Sequence, residues 1–162
     1  MSKSKKKKKP AQDPNERLVA ENRRARHKFE VLETLECGIA LVGSEVKSLR
    51  DGKLSLDEAY ARVRNGEVWL YGADIGMYRQ ASYMNHESRR ARKLLLHRRE
   101  ISKFANQAHE KGLTLVPLKV YFKKGRAKLL LGLCRGKKLH DKRETLKKAD
   151  TQRRLQRVMR QR

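Results

Sequence analysis

The chain has 162 residues, enough for one domain of ordinary size with additional tails. It contains 42 Lys and Arg against 18 Asp and Glu, which gives a net charge of +24 and a pI near 10.6. This positive excess argues against an acidic or neutral enzyme body without a polyanionic partner. It favours RNA, DNA or an anionic membrane surface as the partner.

The positive charge is concentrated at the two ends of the chain. Residues 1–28 and residues 136–162 each carry 11 basic and 3 acidic side chains, so together they hold two-thirds of the net charge. Residues 1–20 contain a lysine run followed by Pro10 and Pro14 and too few apolar side chains to offset the entropy of ordering, which predicts a disordered leader. We expect residues 21–135 to form the folded, RNA-binding domain and residues 136–162 a basic tail.

The sequence gives little support to membrane insertion, secretion or a metal site. The longest apolar runs, such as Leu94–Leu96 and Leu129–Leu131, fall far short of the roughly 20 residues that a spanning helix needs. The basic run Lys5–Lys9 is not followed by the apolar segment of a secretory signal. Cys37 and Cys134 are nearly 100 residues apart and belong to no Cys/His cluster, so we expect free thiols, no metal and a cytoplasmic location.

The first predicted elements are a strand and a short helix. Apolar side chains alternate over residues 28–35, which indicates a strand, and Gly38 predicts a bulge or sharp bend before the strand resumes over 39–42. Ser44 is the predicted N-cap of a short helix that ends at Asp51–Gly52.

The clearest local signal is a β-hairpin centred on Asn65–Gly66. Apolar and polar residues alternate on both sides of this pair, and both central residues of a type I′ turn need a positive φ. Three aromatic side chains of the hairpin are candidates to stack unpaired bases: Tyr60, Trp69 and Tyr71. For a tryptophan within a strand, a place in the core is the more common alternative.

The second half of the predicted domain contains a basic loop, a helix and two strands. Residues 79–93 are rich in Arg and Lys, which indicates a mobile basic loop. The apolar residues from 99 onward repeat at the helical period, and Gly112 predicts the end of that helix. Residues 113–122 form a predicted strand with Val116, Leu118, Val120 and Phe122 on one face, and Pro117 marks an edge or a bulge.

The chain then turns over residues 123–126 and returns as a strand with Leu129, Leu131 and Leu133 facing inward. About six strands and two or three helices at these spacings are typical of a small antiparallel β-barrel. The predicted fold class is therefore mainly β (α+β), and the architecture resembles the OB-fold.

Basic side chains outside the hairpin are candidates for phosphate contacts. Lys128 alternates with the inward-facing leucines, which places it on the outer face of the last strand. Arg24, Arg26 and Lys28 alternate near the start of the barrel and are further candidates. For any one of these residues, a solvated surface position is the alternative.

The segment His140–Asp141–Lys142–Arg143 contains proton-transferring side chains but lies beyond the last predicted strand. A catalytic base needs a rigid surrounding to hold its geometry, so we interpret this segment as solvated or RNA-docking rather than catalytic. Standard hydrolase, metalloprotease and P-loop motifs are also missing from the sequence.

Residues 144–162 contain good helix formers and neither Gly nor Pro. Leu155, Val158 and Met159 form only a narrow apolar stripe, and like charges crowd the last turns. We therefore predict that the tail is disordered in the free protein and helical against a phosphate-lined channel. A membrane-surface or calmodulin-like helix is the alternative, which the thin apolar stripe disfavours.

Four segments, from residue 22 to residue 143, together resemble one known family: Asn22–His27, Gly38–Arg50, Arg92–Leu96 and Gly136–Arg143. They are similar to the small protein B family, the SsrA-binding (tmRNA-binding) proteins of bacterial trans-translation, over roughly residues 20–162. The resemblance implies an OB-like barrel with a basic tail that binds the tRNA-like domain of tmRNA and stands in for its missing anticodon arm. It implies entry into the A site of a stalled ribosome, delivery of alanyl-tmRNA with elongation factor Tu, and action as a monomer without bond chemistry or cofactor.

The same resemblance implies roles for particular residues. Those facing tmRNA are Asn22, Glu36, Leu95 and Lys128, although core packing is the alternative for Leu95. Those at the ribosomal decoding centre are His140, Asp141, Lys142 and Arg143. Those in the mRNA channel are Val158, Met159 and Arg160, where some relatives carry Ile and Lys in place of Val and Arg.

Two other functions remain open at this stage. The first is a generic ribosome-associated or RNA-chaperone protein that uses its charge without selecting tmRNA. The second is an RNA-processing enzyme centred on His140 and Asp141.

Overall fold

The computed structural model describes residues 16–81, 84–138, 146, 150–156 and 159. The strands in this part of the chain are β1 (Glu16–Glu21), β2 (Phe29–Ile39), β3 (Leu54–Ser55), β4 (Tyr60–Arg64), β5 (Glu67–Tyr71), β6 (Asp74–Ile75), β7 (Arg92–Leu95), β8 (Thr114–Lys123) and β9 (Arg126–Gly136). The helices are α1 (Arg23–Lys28), α2 (Gly43–Arg50) and α3 (Arg98–Lys111).

Six of the strands form a closed antiparallel ring in the order β8, β4, β5, β7, β2 and β9, with β9 pairing back to β8. β1 extends the sheet along β8, and β3 pairs with β6 in a separate two-stranded sheet. The prediction of a mainly β, OB-like antiparallel barrel of about six strands is confirmed. Because β5 and β9 are three strands apart in either direction around the ring, they lie on opposite sides.

The interior of the ring is filled by alternate side chains of the strands. Those that are at most 2% exposed include Cys37, Val68, Leu70, Leu94, Leu129, Leu131 and Leu133. Phe104 of α3 packs against this core, and α3 ends at Gly112, which has a φ of 59°. The predicted helix, its stop signal and the inward face of β9 are thus confirmed.

The predicted hairpin is confirmed at its turn. β4 and β5 pair antiparallel from Tyr60↔Tyr71 to Arg64↔Glu67. Asn65 and Gly66 connect them with φ values of 52° and 70°, the positive values that a type I′ turn requires.

The folded part begins earlier than the sequence predicts. Residues 16–20, which we assigned to a disordered leader, belong to β1 and pair with the second half of β8. The strand is stabilised because Val19 and Ala20 pack against the core. The average composition of residues 1–20, which is dominated by lysine, gave no indication of this packing. Residues 1–15 lie outside the described residues.

The bend predicted at Gly38 is also wrong. β2 runs through Gly38 to Ile39, residues 40–42 are not strand, and the irregularity in the β2–β9 register lies between Val31 and Glu33. The N-cap of α2 is Val42 rather than Ser44, because the Glu45 carboxylate accepts the Val42 N–H at 2.9 Å.

The predicted mobile basic loop contains a buried ion-pair cluster. Arg92 lies in β7 and is fully buried, with its Nε 2.8 Å from Glu45 Oε1. Arg90 makes a bidentate pair with the same carboxylate, and Arg92 also donates to the carbonyls of Ala73 and Ser88. The loop prediction is therefore wrong for these two arginines, because both are held by one carboxylate that is 45 or more residues away in sequence.

β8 is irregular near Pro117, as predicted. The register with β9 shifts between Pro117 and Lys119, which reverses the alternation of side chains. Val116 and Leu118 consequently pack in a second cluster, whereas Val120 enters the interior of the ring. The prediction that these residues share one face is wrong for this reason.

Cys37 and Cys134 are free and buried. Cys37 is opposite Leu129 and Cys134 is opposite Val31, so the two sites are five residues apart along β9, roughly 17 Å at the strand rise. Burial raises the pKa of Cys37 to about 12 and that of Cys134 to about 11. Both thiols therefore stay protonated at neutral pH.

The described part of the chain holds no group of three His, Cys, Asp or Glu placed to bind a metal ion. Among its helices none has the length and apolar character needed to cross a membrane. In the tail, residues 150–156 are helical, an Asp150–Arg153 pair at 3.8 Å supports that helix, and Leu155 is 55% exposed. The predicted change of the tail from disorder to helix on binding stays untested.

Candidate nucleic-acid interface

Three of the residues implied to face tmRNA lie together on the outside of the ring. Gly38 of β2 is in register with Lys128 of β9 on one side and with Leu95 of β7 on the other. Residues directly opposite each other project to the same face of a sheet, and Glu36 is two positions before Gly38 on that face. The pairing of three strands therefore brings Glu36, Leu95 and Lys128 into one patch.

Gly38 allows Leu95 to lie across β2. A Cβ at this position would be 3.2 Å from Leu95 Cβ, tighter than nearly all such contacts. Leu95 is 53% exposed while its neighbour Leu94 is 1% exposed. Core packing is thus excluded for Leu95, and the patch has an apolar side chain available to a partner.

Glu36 is the centre of the polar part of the patch. Its Oε2 accepts a hydrogen bond from the Tyr121 hydroxyl at 2.5 Å and lies 3.3 Å from Lys123 Nζ, while its Oε1 is 3.7 Å from Lys128 Nζ. The Tyr121 hydrogen bond and, beyond it, the two lysines lower the pKa of Glu36, although partial burial opposes them. The carboxylate is therefore ionised and fixed in orientation between two ammonium groups.

Tyr121 and Lys123 complete this arrangement, and sequence reasoning did not select them. Tyr121 is in register with Lys128, its side chain is nearly buried, and Lys119 Nζ lies 4.5 Å from its ring centroid. Burial and the adjacent carboxylate raise the pKa of Tyr121, so the phenol remains a donor. The sequence did contain a signal for them: in a strand, Tyr121 and Lys123 are each an odd number of residues from the inward-facing Val120, so their side chains point outward. We call Glu36, Leu95, Tyr121, Lys123 and Lys128 the Glu36 patch.

Asn22 lies elsewhere and caps a helix. Its Oδ1 accepts the Ala25 N–H at 2.9 Å, its Nδ2 donates to the Leu56 carbonyl at 2.9 Å, and its backbone N–H donates to the Leu118 carbonyl. The residue is 3% exposed. Its RNA contact stays a prediction, and the hydrogen bonds give it a structural role as N-cap of α1.

α1 presents a second group of basic side chains. Arg24 and Arg26 are exposed and lie 3.6 Å from Asp57 and Glu21, respectively. They project from α1, so their spacing of two does not place them on one face as it would in a strand. Phosphate binding by Arg24, Arg26 and Lys28 stays a prediction.

The implied ribosomal residues are largely outside the described part of the chain. This holds for His140, Asp141, Lys142, Arg143, Val158 and Arg160. Met159 is helical and 72% exposed.

A closed antiparallel ring that carries a basic patch around one oriented carboxylate has the features of an RNA-binding β-barrel protein. Residues 19–161 match the family model described as SmpB protein. The chain is 60% identical over 148 residues to the SsrA-binding protein of Rhodopirellula baltica, covering 91% of this chain and 84% of that protein. It is 53% identical over 149 residues to the SsrA-binding protein of Gloeothece citriformis, covering 91% and 96%. The chain belongs to the SmpB family.

A solved structure agrees with this assignment. It is described as tmRNA-SmpB at the centre of the bacterial ribosome, and it matches with a TM-score of 0.64 and 52% sequence identity. The match covers 78% of this chain and 93% of the solved chain. The relatives are named as binding proteins, and the prediction that the chain is not an enzyme is confirmed by membership of this family.

Proposed function

We propose that this protein binds the tRNA-like domain of tmRNA through the Glu36 patch and acts in trans-translation without performing bond chemistry. The observation that carries the proposal is the convergence of Glu36, Leu95 and Lys128, which come from three different strands. The names of the relatives and of the solved tmRNA-SmpB structure support the same RNA.

The patch offers three different contacts to a folded RNA. Lys123 and Lys128 provide positive charge for phosphates. The Glu36 carboxylate accepts a hydrogen bond from a base amino group or a ribose hydroxyl, which phosphates cannot donate. Leu95 provides an apolar surface for a base or a sugar. A partner that satisfies all three has a defined shape, whereas a uniform phosphate backbone satisfies only the first.

The steps on the ribosome form the second part of the proposal. The protein stands in for the missing anticodon arm and places alanyl-tmRNA, delivered with elongation factor Tu, in the A site of a stalled ribosome. His140, Asp141, Lys142 and Arg143 contact the decoding centre, and the tail around Val158, Met159 and Arg160 follows the mRNA channel. The protein acts as a cytoplasmic monomer, because the ribosome and tmRNA meet there and one barrel carries the whole patch.

The test is a comparison of binding to the tRNA-like domain and to an ordinary tRNA at several salt concentrations. Specific recognition predicts tighter binding to the tRNA-like domain and a difference that persists as salt rises, because counterion release weakens both complexes in the same way. We expect Leu95→Ala and Lys128→Ala each to weaken binding to the tRNA-like domain by roughly tenfold.

Two matched controls separate recognition from general charge or exposure. Leu32→Ala removes another leucine of similar exposure, and Lys53→Ala removes a lysine that is 35% exposed and 3.7 Å from its own carboxylate partner, as Lys128 is from Glu36. Both controls should leave affinity within twofold. Equal affinity of the wild type for the two RNAs would instead favour the generic RNA-chaperone function.

A further inference from the structure

The outer face of the β4–β5 hairpin carries aromatic and basic side chains that the Glu36 patch does not use. Alternation along the two strands buries Ala61, Val68 and Leu70 and turns the intervening residues outward. The outward-facing side chains that concern us, here named the hairpin platform, are Tyr60, Arg62, Arg64, Trp69 and Tyr71.

The rings of the platform are already arranged as a stack. Tyr60 and Tyr71 are cross-strand partners with ring centroids 5.6 Å apart and an interplanar angle of 21°. The Arg62 guanidinium carbon lies 5.3 Å from the Tyr60 centroid, and Trp69 is directly opposite Arg62. Tyr60 is 38% exposed. Aromatic rings and guanidinium planes in such an arrangement are the surfaces on which unpaired bases stack.

Open hollows flank the platform on both sides. One, of about 620 Å³, runs between Tyr60, Arg62 and the Ala105–His109 face of α3. The other, of about 300 Å³, lies beside Trp69 and is lined also by Arg64 and Tyr71. A base that stacks on a ring of the platform therefore has room for the next nucleotide on either side.

The charges favour RNA over a protein partner. Arg62 and Arg64 are exposed, and Lys93, in register with Trp69, is 41% exposed beside Glu67. Single-stranded RNA presents phosphates and bases in alternation, and basic side chains and adjacent aromatic rings can bind the phosphates and stack on the bases, respectively. An apolar protein surface would have to desolvate the two arginines without giving them partners.

We infer that the hairpin platform is a second RNA-contact site, which stacks unpaired bases on Tyr60 and its neighbouring rings. β5 lies opposite β9 in the ring, and the two sites come nearest at β7, where Lys93 is in register with Trp69 and Leu95, two residues further on, belongs to the Glu36 patch. Through this site the protein contacts a second RNA, or a different segment of the same one. This goes beyond the proposed function.

The experiment uses the full chain and an oligoadenylate of about 12 nucleotides at about 0.3 M salt, which suppresses charge-driven binding. Trp69 is the single tryptophan of the chain, so its fluorescence reports on the platform directly. We expect saturable quenching, roughly tenfold weaker binding for Tyr60→Ala, and near-normal binding for Tyr60→Phe, which retains the ring.

Tyr78→Ala is the matched control, because Tyr78 also lies under a cation, Lys47 Nζ at 5.4 Å, but away from the hairpin. It should leave quenching and affinity unchanged. The salt slope should be the same for Tyr60→Ala as for the wild type and smaller by about 0.7 for Arg64→Gln, which removes one expected phosphate contact.

A labelled tRNA-like domain, titrated in the same preparation, separates the two sites. We expect Tyr60→Ala to leave its affinity within twofold and saturating tRNA-like domain to leave the quenching intact. The inference is overturned if the oligonucleotide causes no quenching, if Tyr60→Phe loses as much as Tyr60→Ala, or if the tRNA-like domain displaces the oligonucleotide. Quenching without any binding of the tRNA-like domain would instead overturn the proposed function alone.

Discussion

Glu36 places a negative charge between two lysines on a protein whose surface is otherwise strongly positive. Its Oε1 and Oε2 oxygens lie 3.7 Å and 3.3 Å from Lys128 and Lys123. A carboxylate repels phosphate, so it weakens every complex that relies on backbone charge alone. The proposed recognition of tmRNA by this patch therefore combines a repulsive element with attractive contacts.

Glu36→Gln tests this role. The amide keeps the shape and one acceptor but removes the repulsion, so we expect affinity for ordinary tRNA to rise and affinity for the tRNA-like domain to fall. The ratio of the two affinities should decrease by roughly tenfold. Fluorescence anisotropy with both RNAs at three salt concentrations measures it. If the affinities for both RNAs changed by the same factor, Glu36 would not contribute to discrimination between the tRNA-like domain and ordinary tRNA.

Tyr121→Phe tests how the carboxylate is held. The Tyr121 hydroxyl is the largest cause that lowers the pKa of Glu36, so its removal should raise that pKa toward the usual value. Ionised Glu36 stabilises the fold above its unfolded pKa, and this contribution is lost as pH falls through the folded pKa. In Tyr121→Phe the loss should begin at higher pH. Carboxyl NMR titration measures the shift, and Tyr71→Phe, distant on β5, should leave it unmoved.

At the scale of elements, the buried Glu45–Arg92 pair joins α2 to β7. Burial alone would raise the pKa of Glu45, but the hydrogen bonds from Arg90 and from the Val42 N–H and the charge of Arg92 lower it overall. Burial likewise lowers the pKa of Arg92, and Glu45 opposes that change. Arg92 and Arg90 together therefore favour the ionised form of Glu45, and Glu45 in turn compensates the burial of the Arg92 charge.

Glu45→Gln should consequently destabilise the fold by about 3–5 kcal/mol, since it leaves a buried guanidinium without its counter-ion. Thermal unfolding should show a Tm lower by roughly 10 °C. Glu58→Gln is the control, because Glu58 pairs with Arg89 at 3.4 Å but is 75% exposed, and such pairs contribute about 0–1 kcal/mol. Similar Tm changes in the two variants would contradict the role of burial.

The elements that the sequence predicted correctly are those fixed by neighbouring residues. Asn65–Gly66 determines its turn through local φ preferences, and Gly112 ends α3 in the same way. Arg92 was misassigned because its partner Glu45 is 47 residues away and only the folded sheet brings them together. Gly38 was predicted to form a bend. In the structure it lies within a continuous strand, and its lack of a side chain leaves room for Leu95 of β7.

The candidate site follows the same rule. The alternation of side chains along β9 placed Lys128 on the outer face. The other residues of the patch, on β2, β7 and β8, join it only through the strand order, which periodicity does not determine. Glu36 and Leu95 came from resemblance to the family, and Tyr121 came only from the structure. The ring itself was predictable because about six strands with alternating patterns have few other ways to avoid open edges.

At the scale of the whole molecule, the proposed function assigns tmRNA binding to the ring and ribosome contacts to the tail. The Glu36 patch lies entirely on the ring, and the described helical residues of the tail carry an exposed Leu155 and Met159. We expect deletion of residues 155–162 to leave affinity for the tRNA-like domain within twofold but to impair peptide tagging on stalled ribosomes. A reconstituted tagging assay measures this, with binding determined in parallel. An equal loss in both assays would contradict the division.

The two native thiols are shielded within the ring and its flanking cluster and remain protonated at physiological pH, which makes them poor nucleophiles toward maleimides and oxidants. A single cysteine introduced at a solvent-facing site, such as Lys53, would therefore react selectively without removal of Cys37 or Cys134. The natural chain is thus suitable for attaching one dye or spin label, and the distance from that label to each proposed RNA-binding site becomes measurable.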